Sequence, residues 1–346
     1  MRKVLLGRTG IEATCQSFGV LPLQRTEMSE AVKILQRAYE GGINFYDTAR
    51  AYSDSEEKIG NAFTPSMREK IFIATKSNKT TKDAVLEEIQ TSLKLLKTDY
   101  VDILQAHNLK ATIDVEDENS AYGALIEAKK RGYCRYIGIT SHRAGVITEG
   151  IESGLYDTVQ FPMSYLSDDS DLSIVKQAQD KNIGFIAMKA LAGGAITSGK
   201  AAAAFMEAHP WILPIWGVQH MHEIEEFIEF GKNPPKLSDP DVAKIIETDR
   251  VELAGNFCRA CGYCKPCTVC PDMEMNVTMR MPLNIKRAPV KNFITEHYQK
   301  QMKMIEECID CGACKKRCPY GLDIPTVLRE NLESYKETCS SLGIAF

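Results

Sequence analysis

From Ile43 to Val218 this chain repeats one pattern: a short apolar run, a turn, a stretch with apolar residues at three- and four-residue steps, and often a glycine. A strand that returns through a helix lies parallel to the strand before it, so sustained alternation of this kind builds a parallel sheet covered by helices. Seven strand ends are legible: Asn44-Phe45-Tyr46-Asp47, Ile71-Phe72-Ile73-Ala74-Thr75-Lys76, Val101-Asp102-Ile103-Leu104-Gln105-Ala106-His107, Ile137-Gly138-Ile139-Thr140, Val159-Gln160-Phe161, Phe185-Ile186-Ala187-Met188 and Pro214-Ile215-Trp216-Gly217; Ser17-Phe18-Gly19-Val20 makes an eighth. The intervening helices show single apolar faces, such as Ala31, Leu35 and Tyr39 before Gly41-Gly42, or Val85, Ile89, Leu93 and Leu96. A third helix runs through Ala121, Leu125 and Ala128 to Gly132. The expected fold is α/β, a closed (β/α)8 TIM barrel. An open doubly wound sheet would need a Gly-x-Gly-x-x-Gly turn after its first strand, and none stands there. Lys3 to Cys15, with the turn Gly7-Arg8-Thr9-Gly10, reads as a hairpin that plugs the barrel floor.

Residues 229–250 shift to proline and charge, with Pro234-Pro235 and Asp239-Pro240, and a domain boundary is expected near Asp249. That leaves a barrel of residues 1–249 and a small domain of residues 250–346. Ten of the chain's twelve cysteines fall in the second part, nine of them in two runs between Cys258 and Cys318. The first is Cys258-x2-Cys261-x2-Cys264-x2-Cys267-x2-Cys270-Pro271 and the second Cys308-x2-Cys311-x2-Cys314-x3-Cys318-Pro319. In a ferredoxin-like pair, three closely spaced thiolates hold most of one cubane and the Cys-Pro of the other run completes it, so the runs predict two [4Fe–4S] clusters. A mostly helical, ferredoxin-like fold follows for the tail. Tetrahedral zinc needs only two Cys-x2-Cys knuckles, and disulfides need an oxidising compartment. Cys15, Cys134 and Cys339 stand alone and read as small buried hydrophobes.

Composition narrows the setting. A net charge of −4 gives no basic surface for nucleic acid, and no stretch approaches the ~20 apolar residues that span a bilayer. Residues 1–25 lack the charged start, apolar run and small-residue site of a secretory signal, so the expectation is a cytoplasmic protein with neither membrane nor nucleic-acid partner. Lys315-Lys316-Arg317 reads as a solvated face or a docking patch for an acidic partner.

Active sites of such barrels lie at the C-terminal ends of the strands. Three of those ends carry Asp47, Lys76 and His107, and Tyr52 follows Asp47 closely enough to fold over the barrel mouth. Singly, each has an ordinary explanation as a helix cap, a solvated strand end, a core histidine or a rim aromatic. Together they describe a site that polarises and protonates a carbonyl: a phenol whose ionised form an adjacent ammonium would favour, a carboxylate keeping that ammonium charged, and an imidazole orienting an oxygen.

Gly42-Ile43-Asn44-Phe45-Tyr46-Asp47-Thr48-Ala49, then Tyr52 and Ser55-Glu56-Glu57-Lys58-Ile59-Gly60, resemble the first signature of the aldo-keto reductases. Ala74-Thr75-Lys76 and Asp102 to His107 resemble the strands bearing that family's lysine and histidine. The branch with a C-terminal ferredoxin-like extension is the nearest likeness. The resemblance implies a catalytic tetrad of Asp47, Tyr52, Lys76 and His107, with Tyr52 as proton donor to a small aldehyde or ketone, or acceptor from an alcohol. It also implies an NAD(P)H site. Ser141, His142 and Gln160 would hold the carboxamide, Met188 would cover the nicotinamide where many members have tyrosine, and the turns at Lys189, Ala192-Gly193-Gly194 and Gly217 would follow the phosphates. Where NADPH-preferring relatives carry Lys and Arg, this chain has His220 and Glu223, so NADH is slightly favoured, with Lys189 and Lys200 as cations that would offset the acid. The branch's Tyr-Cys-x-Pro-Cys, here Tyr263 to Cys267, makes Cys267 a fourth ligand, while Pro271 marks Cys270; one is spare.

Hydride transfer moves two electrons and a [4Fe–4S] cluster passes one, and no flavin motif converts between them. The primary reading is an oxidoreductase in which the clusters staple the tail. The alternative is an electron-transfer protein on the same scaffold, relaying single electrons from a ferredoxin-type partner; a catalytically dead interaction module conflicts with the complete tetrad.

Overall fold

The structure, a computed structural model, describes the chain apart from residues 254–256, 266 and 288 and the side chain of residue 287. Pro266 of the Tyr-Cys-x-Pro-Cys run thus lies outside the described residues. The chain divides into two compact units, Met1–Asp249 and Arg250–Phe346.

In the first unit a hairpin of β1 (Lys3–Leu5) and β2 (Glu12–Thr14) precedes eight parallel strands that close into a barrel. These are β3 (Ser17–Gly19), β4 (Phe45–Asp47), β5 (Phe72–Ser77), β6 (Val101–Ala106), β7 (Cys134–Thr140), β8 (Thr158–Pro162), β9 (Gly184–Met188) and β10 (Ile212–Trp216). They pair in chain order, and β10 closes on β3 through Ile215↔Ser17 and Trp216↔Phe18. All eight expected strands are present, with ends displaced by one to three residues. The largest displacement is at β7, which starts at Cys134 because Val101 pairs with it, ahead of the apolar run.

The two-residue period of a strand sends alternate side chains into the barrel. Phe45, Ala74, Ile103, Ile186 and Leu213 fill the lower layer against Val4, Leu6, Ile11 and Ala13 of the hairpin. The hairpin is therefore the plug expected from sequence. Gly7 holds it in place at φ +53°, where a Cβ would sit 2.3 Å from the backbone nitrogen of Gly184. With the floor sealed by apolar packing, the polar residues two positions further along the strands face the opposite end. Of the two glycines after helix Met28–Glu40, Gly41 keeps right-handed geometry and Gly42 takes φ +92°. Cys15 and Cys134 are buried in this unit, where burial pushes both thiols up to about 12.

The second unit contains helices Met275–Thr278, Met281–Arg287, Glu296–Lys303, Ala313–Arg317 and Ile324–Ser341, and no strand among the described residues. Its core joins five buried methionines, Met273, Met275, Met279, Met281 and Met302, to Ile324, Val327, Leu328, Leu332 and Tyr335 along one face of the last helix. Methionine adapts to irregular space, which suits a unit of short helices. Cys339 is buried in that core.

Helix Ser55–Ala62 packs so closely on the end of helix Lys82–Leu96 that a Cβ on Gly60 would stand 2.1 Å from the carbonyl oxygen of Leu95. Alanine gains about 1 kcal/mol of helix propensity over glycine, but overlap with a backbone atom costs about 1–3 kcal/mol and cannot be relieved by a rotamer change. Gly60→Ala should therefore destabilise the protein by about 1–2 kcal/mol in a denaturant titration; unchanged or increased stability would contradict the close packing.

Candidate active site and metal centres

Asp47 ends β4, Lys76 lies one residue from the end of β5, and His107 follows β6 directly. The structure brings them together with Tyr52. The Lys76 ammonium donates to Asp47 Oδ1 at 2.5 Å and to the carbonyl of Thr48 at 2.6 Å. It stands 5.2 Å from the centroid of the Tyr52 ring, whose edge meets the ring of His107 at 5.6 Å and 78°. Asp47 and Lys76 are fully buried.

Burial dominates the electrostatics. It pushes the Asp47 carboxyl up and the Lys76 ammonium down, each restrained chiefly by the other's charge. His107 falls to about 3, through burial first and the Lys76 charge second, and is neutral across the physiological range. The Tyr52 phenol is raised, by burial and then by the charge of Asp47. This overturns the expectation that Lys76 lowers it: the ammonium points at Asp47 and Thr48 and lies over the ring.

The loop signature supports these groups. Glu56, fully buried, accepts from Thr75 Oγ1 at 2.6 Å and pairs with Arg50, whose backbone N–H donates to the carbonyl of Lys76 at 3.0 Å. Ser55 Oγ and Thr48 Oγ1 share a 2.8 Å hydrogen bond, and the buried Lys58 ammonium donates to Leu23 O and Asp54, both at 2.8 Å. Sequence reasoning missed Glu56 as a positioning residue, although it lay within the quoted motif.

Ser141, His142, Gln160, Met188, Lys189 and Gly217 lie at or just beyond the C-terminal ends of β7 to β10. Ser141 Oγ donates to Leu109 O at 2.8 Å and accepts from Arg143 N at 2.9 Å, and His142 is buried beside it. Gln160 donates a side-chain hydrogen bond to Asp47, leaving its Oε1 buried and unpartnered. Asp47 Oδ2 and His107 Nδ1 are also buried and unpartnered. Three unsatisfied polar atoms at one end of a barrel fit a polar guest such as a carboxamide beside a carbonyl. Met188 is partly exposed at the strand end; Lys189, Ala192, Gly193 and Gly194 have φ of +58°, +49°, +65° and +87°. Repeated left-handed residues turn backbone N–H groups into concavities suited to anions.

Glu223 has a structural part as well as a charge at this turn. Its carboxylate accepts the backbone N–H groups of Gln219 and His220 at 2.8 and 2.9 Å, capping helix Met221–Lys232. Lys200 pairs with Asp241 at 2.6 Å.

The two cysteine runs share one backbone design. Ala260 and Asp310, each two residues after the first cysteine, have φ of +51° and +54°, and Gly262 and Gly312 have φ of +82° and +67°. Cys264 is pushed up to about 11 by burial and by the neighbouring thiols Cys258, Cys261 and Cys318. Cys270 is raised by burial and by Cys267, Cys308, Cys311 and Cys314, and all five of these thiols line one cavity. The first group therefore joins three thiols of its own run to one of the other, and the second joins three of its own run to two of the other. Among the described residues no three His, Cys, Asp or Glu side chains are set to hold a single metal ion. Thiols arrayed around a cavity fit a polynuclear cluster, whose ligands bind different irons.

The aldo/keto reductase family model matches residues 16–211, and a 4Fe-4S dicluster domain model matches residues 257–323. The chain belongs to the aldo/keto reductase family, a family of oxidoreductases, and carries a C-terminal 4Fe-4S dicluster domain. It is 34% identical to the uncharacterized oxidoreductase YqkF of Bacillus subtilis over 166 residues, 44% of this chain and 53% of that protein. To L-galactose dehydrogenase of Arabidopsis thaliana it is 29% identical over 210 residues, 56% of this chain and 66% of that protein. The matched part thus spans between about half and two thirds of those relatives. The holo form of an aldo-keto reductase from Bacillus halodurans shares the fold, with a TM-score of 0.62 at 21% identity over 72% of this chain and 96% of that one. Among the described residues no helix is long and apolar enough to cross a membrane.

Gln105 went unremarked in the sequence beyond its place in a motif. It points into the barrel between Ile103 and His107, fully buried, with neither side-chain nitrogen nor oxygen bonded within the protein. Gly138 leaves room for it, and Thr158 Oγ1 nearby is likewise unpartnered. Each unpaired buried polar group costs about 1–3 kcal/mol. Gln105→Leu should raise stability by roughly 1–2 kcal/mol in a denaturant titration; a loss of that size would show that the amide is satisfied in solution.

Proposed function

We propose that residues 1–249 reduce a small aldehyde or ketone, or oxidise the matching alcohol, with NAD(P)H, and that residues 250–346 hold two [4Fe–4S] clusters. The observation that carries the first part is the convergence of Asp47, Tyr52, Lys76 and His107 at one end of the barrel. The nicotinamide, when bound, supplies or accepts the hydride. Burial keeps the Tyr52 phenol protonated at neutral pH, the form needed to give a proton to the oxygen of a carbonyl. His107, neutral, orients that oxygen through its ring, and Lys76, anchored by Asp47, places positive charge where the phenolate would form. Gln160 Oε1, Ser141 and His142 would hold the carboxamide, Met188 would cover the ring, and the turns at Lys189 and Gly217 would follow the phosphates. Tyr52→Phe should cut carbonyl reduction by about 10²–10⁴-fold while nicotinamide affinity, read by fluorescence titration, changes little. Turnover that survives the substitution would remove the phenol from the mechanism.

The cofactor preference is proposed to favour NADH slightly. The Glu223 carboxylate caps its helix at the turn where a 2′-phosphate would want cations. Titration should find NADH binding at least as tightly as NADPH. Glu223→Gln, which keeps a capping oxygen and removes the charge, should narrow the gap; a strong NADPH preference in the unaltered protein would show that the turn does not face the adenosine ribose.

For the tail, the thiol groupings support Cys258, Cys261, Cys264 and Cys318 at one cluster, with Cys308, Cys311, Cys314 and Cys267 or Cys270 at the other. Thiolates of this kind suit a reducing cytoplasm. The primary reading gives the clusters a stabilising part, and full carbonyl reduction by cluster-free protein would establish it. The two matched cysteine loops favour the alternative electron relay with a ferredoxin-type partner, and turnover that required both clusters and that partner would move the assignment there.

A further inference from the structure

Two cubanes need eight thiolates, and the two runs of the tail supply nine cysteines. The extra one is not remote. Cys267 and Cys270 both line the cavity whose remaining thiols are Cys308, Cys311 and Cys314. Their sulfurs adjoin: Cys267 Sγ accepts the backbone N–H groups of Val269 and Cys270 and hydrogen-bonds with the Cys270 thiol. Neither is buried in isolation from the site, so neither is an ordinary structural cysteine.

The shared design of the two runs explains the pair. In the second run the cysteine that crosses to the other group, Cys318, stands four residues after Cys314; four residues after Cys264 the chain has Thr268, which cannot take the role. Cys267 falls one residue short of that position and Cys270 two beyond it. A proline follows Cys270 as one follows Cys318, while Cys267 has the N–H donors that hold a thiolate. Each has part of what the position requires.

Resting on the dicluster reading above, we propose that Cys267 and Cys270 are alternative ligands to one iron of the cluster held by Cys308, Cys311 and Cys314. The exchange is a thiol-for-thiolate substitution. One iron–sulfur bond forms to the entering cysteine as the bond to the other breaks, and the proton of the entering thiol passes to the thiolate released, across the hydrogen bond that joins them. No electron is gained or lost, and no further reactant is needed. A site built this way keeps its cluster when either sulfur is oxidised or capped, which a four-cysteine site does not.

The test uses the full chain reconstituted anaerobically with iron and sulfide. Iron and sulfide are counted, and electron paramagnetic resonance of the reduced protein is recorded, for the unaltered protein, Cys267→Ala, Cys270→Ala and the double variant. Both single variants should keep the unaltered count of about eight irons and give two distinguishable spectra, and the double variant should lose about four. Loss of about four irons in one or both single variants, or in none of the three, overturns the proposal. For any alanine variant whose circular dichroism departs from the unaltered protein, the isosteric serine variant decides by the same counts. A count of about four or fewer in the unaltered protein refutes the two-cluster reading itself, separately from the behaviour of the pair.

Discussion

The pairing of Lys76 with Asp47 organises the barrel's polar end. Two full charges stripped of water are costly, and their attraction offsets that cost only when the remaining hydrogen-bonding capacity is filled. Here Lys76 donates also to Thr48 O, and Asp47 takes a bond from Gln160, so strands β4, β5 and β8 meet at one pair. Removing one partner would strand the other charge at a cost of about 3–5 kcal/mol. The ring of Tyr52 closes over the ammonium, and His107 stays neutral partly because the same charge faces it. Glu56, Thr75 and Arg50 then fix the backbone that carries Lys76.

This arrangement bears on what could be read from sequence. The eight strands were legible because both faces of a barrel strand are buried, leaving uninterrupted apolar runs such as Phe72 to Ala74, and because the polar residues appear just where those runs end. Asp47, Lys76 and His107 were visible for that reason. The direction of the Tyr52 shift was not, since burial and then the charge of Asp47 set it, and a linear sequence does not show how deeply the phenol is enclosed. Glu223 was legible as a charge near a phosphate turn but not as a cap, because capping depends on the two backbone N–H groups that the helix start happens to aim at it. Gln105 was hidden inside an apolar strand, and only the closed barrel shows that both of its polar atoms are enclosed.

In the tail, spacing pointed to candidate ligands because each Cys-x-x-Cys must turn the backbone sharply, and the matched left-handed residues at 260 and 310 are that turn. The grouping of Cys318 with the first run followed from the ferredoxin-like pattern, and the structure brings those thiols together. Choosing between Cys267 and Cys270 was beyond the sequence because the pattern itself breaks at Thr268. The proposed clusters would matter to the fold of this unit. Short helices around a methionine core bury modest apolar surface, and a segment under about 100 residues rarely folds on that alone. On the proposed reading, cluster ligation would add the missing free energy.

On the proposed function a two-electron site and one-electron centres share a chain for reasons that differ between its two units. The barrel's polar end is arranged around charge and proton placement: a buried ion pair, a neutral imidazole and a phenol held in its protonated form. On the proposed mechanism each group holds, orients or transfers a proton at a fixed atom. The tail is arranged around sulfur placement, with three thiols of the first run beside Cys318 and three of the second beside Cys267 and Cys270, so that each group draws on both runs. Clusters bound in this way would be a tertiary fastening as much as a redox device, because each would join segments some fifty residues apart along the chain. Loop closure of that length is what a cross-link constrains most, and it accounts for a stabilising role without asking the hydride chemistry to pass through iron.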